Sequence, residues 1–219
     1  YQQVAIVASV TTSKPHGSCA RQRFLETGPL AFLPISNNQC SIVWSSDLEE
    51  ADRLLMLSDT AFSEALAAAF NYELGSIESV SLRRSFPLAR QHAKRYIGDR
   101  IALIGDAAHT VHPLAGLGAN QGVSDAAALS QIINARHSEN RDFSTRSVLR
   151  RYERWRSSEN AFLLDTIDSL QKCFGIQNPV VSRARSAGLN LTDRSDILKR
   201  NLMHHAIGFG GQTPLLAQK

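Results

Sequence analysis

Between Gly105 and Gly122 the chain places one carboxylate, Asp106, ahead of a loop that holds Pro113, Gly116, Gly118 and Asn120. An apolar run, Ile101 to Ile104, precedes the carboxylate, and an alanine-rich segment without proline, 123–133, follows the loop. These residue types suit one kind of chemistry. Unpaired N–H groups at a helix start, together with the helix dipole, attract an anion. Glycines let the backbone approach a ligand closely, and an aspartate at a strand end can accept hydrogen bonds from ribose hydroxyls. Two readings stay open on spacing alone: a nucleotide with its pyrophosphate on the loop and its ribose on Asp106, or a tight strand-to-helix connection with an aspartate turn.

The elements that must position these groups follow from the flanks. Ile101, Ala102, Leu103 and Ile104 read as a strand buried on both faces, because no polar residue interrupts them. Val123 to Ile133 reads as the helix that receives the loop. His109 and His112 lie inside the stretch, and a histidine can serve as acid or base near neutral pH. No Ser or Cys nucleophile with a supporting acid accompanies them, and two histidines in one loop make a poor metal site. Fixing the loop is their expected role, and no catalytic residue is named.

The wording GDAAH followed by HPLAGLGAN resembles the second flavin-binding motif of the FAD-dependent aromatic hydroxylases, and within them it is most similar to the ubiquinone-biosynthesis hydroxylases. The resemblance implies that Gly105 and Asp106 meet the ribose of FAD. It also implies that Pro113, Gly116, Leu117, Gly118, Ala119 and Asn120 lie along the pyrophosphate and flavin ring. Leu117 departs from the family, which usually has Gln between the two glycines. A side-chain contact is lost there while the backbone contacts need not change. RQRF (Arg21 to Phe24), GPLAFLPI (Gly28 to Ile35) and FPLARQHA (Phe86 to Ala93) resemble the family's substrate-domain sheet and its crossing to the flavin strand. In the family that sheet is the floor beneath the ring being hydroxylated. For Phe24, Phe32 and Trp44 plain core packing is the favoured expectation, and for Arg90 and His92 a surface role.

Composition bounds the rest. The chain has 219 residues, 43% hydrophobic and 20% charged, an ordinary globular balance. No apolar run approaches the ~18 residues that a membrane span needs. Cys19, Cys40 and Cys173 form no C-x-x-C and are expected as free thiols of a reducing compartment. Residues 137–219 hold 13 Lys or Arg against 8 Asp or Glu, whereas residues 1–136 hold 11 against 12. The positive excess therefore belongs to the last third. A solvated helix face is its favoured explanation and anionic lipid the alternative. Nucleic acid is not expected, since no aromatic-basic motif or zinc spacing accompanies the charge.

In chain order, Val4–Val10, Cys19–Leu25, Leu30–Ile35 and Cys40–Ser45 read as strands joined by turns, an antiparallel sheet. Asp47 to Ser58 suggests a short helix or lid. Asp59 is expected to cap a helix through Ala69 with Phe62, Leu66 and Phe70 in the core. Ser79 to Ala89 reads as one returning strand. A long helix opens at Asp142 or Ser144, with Val148, Tyr152 and Trp155 on one stripe. Another starts at Pro179 and stops near Gly188, and a last one is capped by Thr192 or Asp193 and ends near Ala206 before Gly208, Gly210 and Gly211. The fold class expected is α/β, more narrowly an α+β fragment. It comprises an antiparallel substrate-domain sheet, one strand-loop-helix of a Rossmann-like FAD domain, and C-terminal helices. The expected divisions are 1–98 (substrate sheet), 99–136 (C-terminal part of the FAD domain) and 137–219 (helical).

The resemblance implies an FAD-dependent monooxygenase. NAD(P)H would reduce the flavin, and the flavin, with oxygen, would hydroxylate a polyprenylated phenol or quinol in ubiquinone biosynthesis. Another phenolic substrate is one alternative, and for the isolated piece a non-catalytic, self-associating module is the other. The chain starts at Tyr1 and carries no G-x-G-x-x-G, so a piece with weak FAD binding and self-association is expected, with Ile101 to Ile104 lacking sheet neighbours on at least one side. Homo-oligomers, contact with other ubiquinone-biosynthesis proteins, no metal, and a cytoplasmic location at the periphery of the inner membrane complete the expectations.

Overall fold

The computed structural model describes residues 3–89, 91–110, 116, 118–175, 179–206 and 213–217. The chain divides into two compact units, Tyr1–Ala89 and Arg90–Lys219.

The first unit is an antiparallel sheet with two helices on one face. Strands β1 (Gln3–Thr12), β2 (Arg21–Phe24), β3 (Pro29–Ser36), β4 (Gln39–Asp47) and β5 (Ile77–Val80) lie in the order β2-β3-β4-β1-β5, and β6 (Arg84–Leu88) also pairs with β1. The register sets Ile6 opposite Trp44, Ala8 opposite Ile42, Val10 opposite Cys40, and Phe32 opposite Ile42. The period of two thus puts these side chains on one face. There they pack with Leu54 of α1 (Leu48–Met56) and with Phe62, Leu66 and Phe70 of α2 (Asp59–Ala69) and its end. Burying each such side chain contributes about 1.5–3 kcal/mol. Phe32 packs against Phe70 and Trp44 against Phe62, with ring centroids 4.4 and 6.0 Å apart and the planes tilted by 40° and 50°. Phe32 and Trp44 are therefore core residues, as the packing expectation had it. The other face carries Phe24, Leu33 and Phe86, all exposed.

Two details of this unit differ from expectation. Ser58, not Asp59, caps α2, accepting from the amide of Ala61 at 3.2 Å; α1 is capped by Asp47, which accepts from the amide of Glu50 at 2.9 Å. The single strand expected over 79–89 is two strands. Between them Arg83 leaves the edge of β1 and donates to the Leu54 carbonyl and the Asp59 carboxylate, both at 3.1 Å, with its guanidinium over the Phe62 ring. It adds a second donor to a carbonyl at the end of α1 that already accepts the Leu57 amide at 3.4 Å.

The second unit begins with a two-residue ladder, β7 (Gln91–His92) against β8 (His109–Thr110). A 3-10 turn over Gly105–Ala107 precedes β8. Four helices follow: α3 (Gly118–His137), α4 (Arg146–Gly175), α5 (Pro179–Arg194) and α6 (Asp196–Ala206). Its core holds Tyr96, Ala108, Ala128 and Tyr152. The stripe on α4 runs at four-residue spacing through Val148, Tyr152, Arg156, Asn160 and Leu164, all buried.

The strand expected over Ile101–Ile104 is not formed. The run makes one isolated antiparallel bridge, Ile97 to Ala102, and no other strand among the described residues pairs with it. Ile101 is 59% and Ile104 40% exposed. An apolar run becomes a doubly buried strand only where neighbouring strands supply its hydrogen bonds. Here it is held instead by the Leu103 amide on the Tyr96 carbonyl (2.8 Å) and by the Tyr152 hydroxyl on the Leu103 carbonyl (2.7 Å). Further along, α5 does not stop at Gly188 but runs through it to Arg194, at a cost of about 1 kcal/mol relative to alanine. The last helix is capped by Ser195 rather than Thr192 or Asp193: the Ser195 hydroxyl accepts from the amide of Leu198 at 3.4 Å. Gly208, Gly210 and Gly211 lie outside the described residues.

Candidate cofactor-binding site

Asp106 sits in the 3-10 turn that begins at Gly105. Gly105 has φ +56°, the left-handed region that only glycine enters at little cost. That conformation turns the chain sharply before Asp106. It also brings Gly105 close to Gly122 of α3: a Cβ placed on Gly122 would stand 3.4 Å from the Gly105 Cα. A pair of glycines thus seats the start of α3 directly on the turn. Asp106 itself is exposed. Its carbonyl accepts from the Thr110 hydroxyl at 3.4 Å, while its carboxylate takes part in no hydrogen bond or ion pair among the described residues.

Gly118 opens α3, with Ala119 and Asn120 in its first turn, Gly118 half-buried and the other two exposed. Among the described residues nothing lies within 4 Å of where a Cβ of Gly116 or Gly118 would stand. Pro113, Leu117 and His112 lie outside the described residues, as does Arg90. The structure therefore brings together Gly105, Asp106, Gly118, Ala119 and Asn120, with Gly116 before the helix. A solvent-facing carboxylate with no partner, glycines with open space over them and the positive end of a 20-residue helix are the donors and acceptors that a dinucleotide's ribose and pyrophosphate require. On this test the residues present fit FAD.

Behind the turn lies a set of residues that sequence reasoning did not find. Asp125, on α3, is fully buried. Its Oδ2 accepts from the Gly105 amide at 2.9 Å and pairs with His109 Nε2 at 2.6 Å. Its Oδ1 accepts from Arg156 Nε at 2.7 Å and Asn160 Nδ2 at 3.3 Å. Arg156, 2% exposed, also donates to Gln121 at 2.8 Å, to Asn160 at 3.1 Å and to Glu159 at 2.5 Å. Asn160 reaches the Tyr96 hydroxyl at 3.3 Å. Burial pushes the Asp125 carboxyl upward, but the bonds from His109, Arg156 and the Gly105 amide outweigh it and hold the group below its ordinary value. His109 is 1% exposed and its Nε2 faces this carboxylate, so it braces the turn from inside; its Nδ1 has no partner among the described residues. One signal could have revealed the set. Asp125 stands between Val123 and three alanines, and Arg156 falls four residues after Tyr152 on the apolar stripe of α4. A charge on a buried stripe needs a partner.

Among the described residues no group of three or more His, Cys, Asp or Glu could hold a metal ion, and no helix is long and apolar enough to cross a membrane. Cys19 is exposed and Cys40 buried, both as free thiols.

Comparison with known proteins gives a consistent picture. The profile of a family described as "FAD binding domain" matches residues 3–165. Ubiquinone hydroxylase UbiL of Rhodospirillum rubrum is 37% identical over 208 residues, covering 95% of this chain and 48% of that protein. The 3-demethoxyubiquinol 3-hydroxylase of Escherichia coli is 32% identical over 208 residues, covering 95% of this chain and 53% of that protein. Among solved structures, p-nitrophenol 4-monooxygenase PnpA from Pseudomonas putida superposes with TM-score 0.70 at 16% identity, covering 97% of this chain and 53% of that one, and shares the fold. The chain spans about half the length of the curated relatives it matches.

Proposed function

The chain belongs to the FAD-binding-domain family, and from that premise we propose that the protein is an FAD-dependent monooxygenase. Its substrate is a polyprenylated phenol or quinol of ubiquinone biosynthesis, and its reductant is NAD(P)H. The observation that carries the reading is the free, exposed carboxylate of Asp106 beside the open glycines at the start of α3, in a chain 37% identical to a ubiquinone hydroxylase.

FAD, when bound, supplies the redox and oxygen chemistry. The chain's own residues bind and orient it. Asp106 would accept from a ribose hydroxyl, a charge-assisted bond. The amides of Gly118, Ala119 and Asn120, unpaired at the first turn of α3, would face the pyrophosphate. Gly105 holds the turn in the one conformation that aims Asp106 outward. Gly116, before α3, would let the backbone come close to the same cofactor. The same reading places the protein in the cytoplasm at the periphery of the inner membrane, as a homo-oligomer in contact with other ubiquinone-biosynthesis proteins.

The test is direct. The whole protein is incubated with FAD, NAD(P)H, oxygen and a polyprenylated phenol, and the product is analysed by mass spectrometry with isotopically labelled oxygen. One labelled oxygen atom on the ring is expected. NAD(P)H oxidation without any labelled product, from this substrate and from its demethoxy quinol counterpart, would overturn the reading.

A further inference from the structure

The buried charges behind the turn are not explained by stability alone. A buried ion pair is seldom better for stability than apolar residues of the same shape. Here the pair is spent on one place: the carboxylate of Asp125 takes the Gly105 amide and the His109 ring on the same oxygen, and Arg156 holds the other oxygen. Gly105 and His109 flank Asp106 on either side. The carboxylate is therefore bonded to both ends of the turn whose exposed member is Asp106.

We propose that Asp125, oriented by Arg156, is a positioning residue that fixes the Gly105–His109 turn and so aims the Asp106 carboxylate at the cofactor. This rests on Asp106 being a ligand of the cofactor's ribose.

Three features carry the inference. Gly105 occupies left-handed backbone, one of the several conformations open to a glycine. The bond from its amide to Asp125, 2.9 Å long and charge-assisted, selects one of them. Arg156 fixes Asp125 in turn with a single short contact from Nε, while Gln121, Asn160 and Glu159 hold the other guanidinium nitrogens. The planar guanidinium so held leaves the carboxylate little rotational freedom. Finally, α3 carries both Asp125 and the glycine start at Gly118, so the ribose acceptor and the pyrophosphate donors are referred to one rigid element. A site assembled this way keeps its geometry without its ligand, which is preorganisation.

The experiment is run on the whole protein with Asp125→Asn, and with Asp125→Ala/Arg156→Met as a second variant that removes both fully buried charges together, leaving only the partly exposed Glu159 without the Arg156 cation, and so protects the fold. Hydrogen exchange at the Gly105 amide is read without cofactor. It is expected to be about tenfold faster in both variants, from the loss of a charge-assisted bond, while amides of the β1–β4 ladder are unchanged. Unchanged exchange at Gly105 would overturn the proposal. FAD affinity is then measured in a double-mutant cycle with Asp106→Ala. A positioning residue should weaken FAD about tenfold when Asp106 is present and less than about twofold when it is absent. An equal effect in both backgrounds would mean that Asp125 acts independently of Asp106 and would overturn the proposal. Unaltered FAD affinity in Asp106→Ala alone would instead remove Asp106 as the ribose ligand and overturn the aiming role. The exchange result would then decide only whether Asp125 holds the turn.

Discussion

Replacing Arg156 by methionine isolates the buried charge pair. Arg156 and Asp125 have side chains 3% and 0% exposed, so water screens neither. The substitution keeps the apolar stem but removes the guanidinium, leaving the Asp125 carboxylate with the Gly105 amide, His109 and Asn160 as its remaining donors. Removing one member of a buried pair costs about 3–5 kcal/mol. Three surviving donors place the expected loss at the lower end, about 3 kcal/mol. Adding Asp125→Asn removes the stranded charge and should recover about 2 kcal/mol of it. The acid limb should move too. The folded-state carboxyl of Asp125 lies below its ordinary 3.8, so its contribution is complete above that value and is lost as pH falls through the folded-state pKa. Without Arg156 that pKa rises, and stability should begin to fall at higher pH than in the wild type. The chain has two tryptophans, Trp44 in the sheet and Trp155 in α4. Urea unfolding followed by fluorescence in a Trp44→Phe background therefore reports the second unit by itself. A loss below about 0.5 kcal/mol for Arg156→Met, with an unmoved acid transition, would refute the account of this pair.

Three further outcomes follow from the same geometry. Gly28 has φ +149°, and a Cβ there would stand 2.4 Å from the Ser45 carbonyl oxygen; Gly28→Ala should cost about 3 kcal/mol, read by urea titration of Trp44 fluorescence. Gly105→Ala places a side chain in left-handed backbone with its Cβ 3.6 Å from the Gly122 Cα, ordinary contact, so only the backbone term of about 1–2 kcal/mol should appear in thermal unfolding of the second unit. If the basic last third touches lipid, sedimentation with anionic vesicles should fall as salt rises, since exposed charges are screened; equal binding to neutral vesicles at all salt concentrations would leave the arginines as a solvated face.

The sequence carried the local features and missed the long-range ones. Strands β1, β3 and β4 were legible because alternation at Ile6, Ala8 and Val10, and at Cys40, Ile42 and Trp44, is a property of consecutive residues. The turn at Gly105 and Asp106 and the helix from Gly118 were legible because the stretch is contiguous, and its resemblance to a family suggested the cofactor that it is proposed to hold. Asp125 was not, because its partners Gly105, His109, Arg156 and Asn160 lie 16 to 35 residues away. Ile101 to Ile104 misled for the converse reason: hydrophobicity states that a run avoids water, not which strands will bond to it. Ser58 displaced Asp59 as a cap because adjacent residues of equal propensity are separated only by where the first helical turn closes. Gly188 failed as a stop because a lone glycine weakens a helix without ending it.

The central claim is that Asp106 and the start of α3 hold FAD. The most direct measurement is the FAD dissociation constant of the whole protein beside that of Asp106→Ala, by titration of apo-protein followed through flavin fluorescence. Loss of one charge-assisted bond, about 1.5–3 kcal/mol, predicts affinity weakened about tenfold or more. Because that carboxylate is exposed and bonded to nothing in the described structure, thermal stability of the apo-protein should be unchanged. Equal FAD affinity in the two proteins would contradict the account.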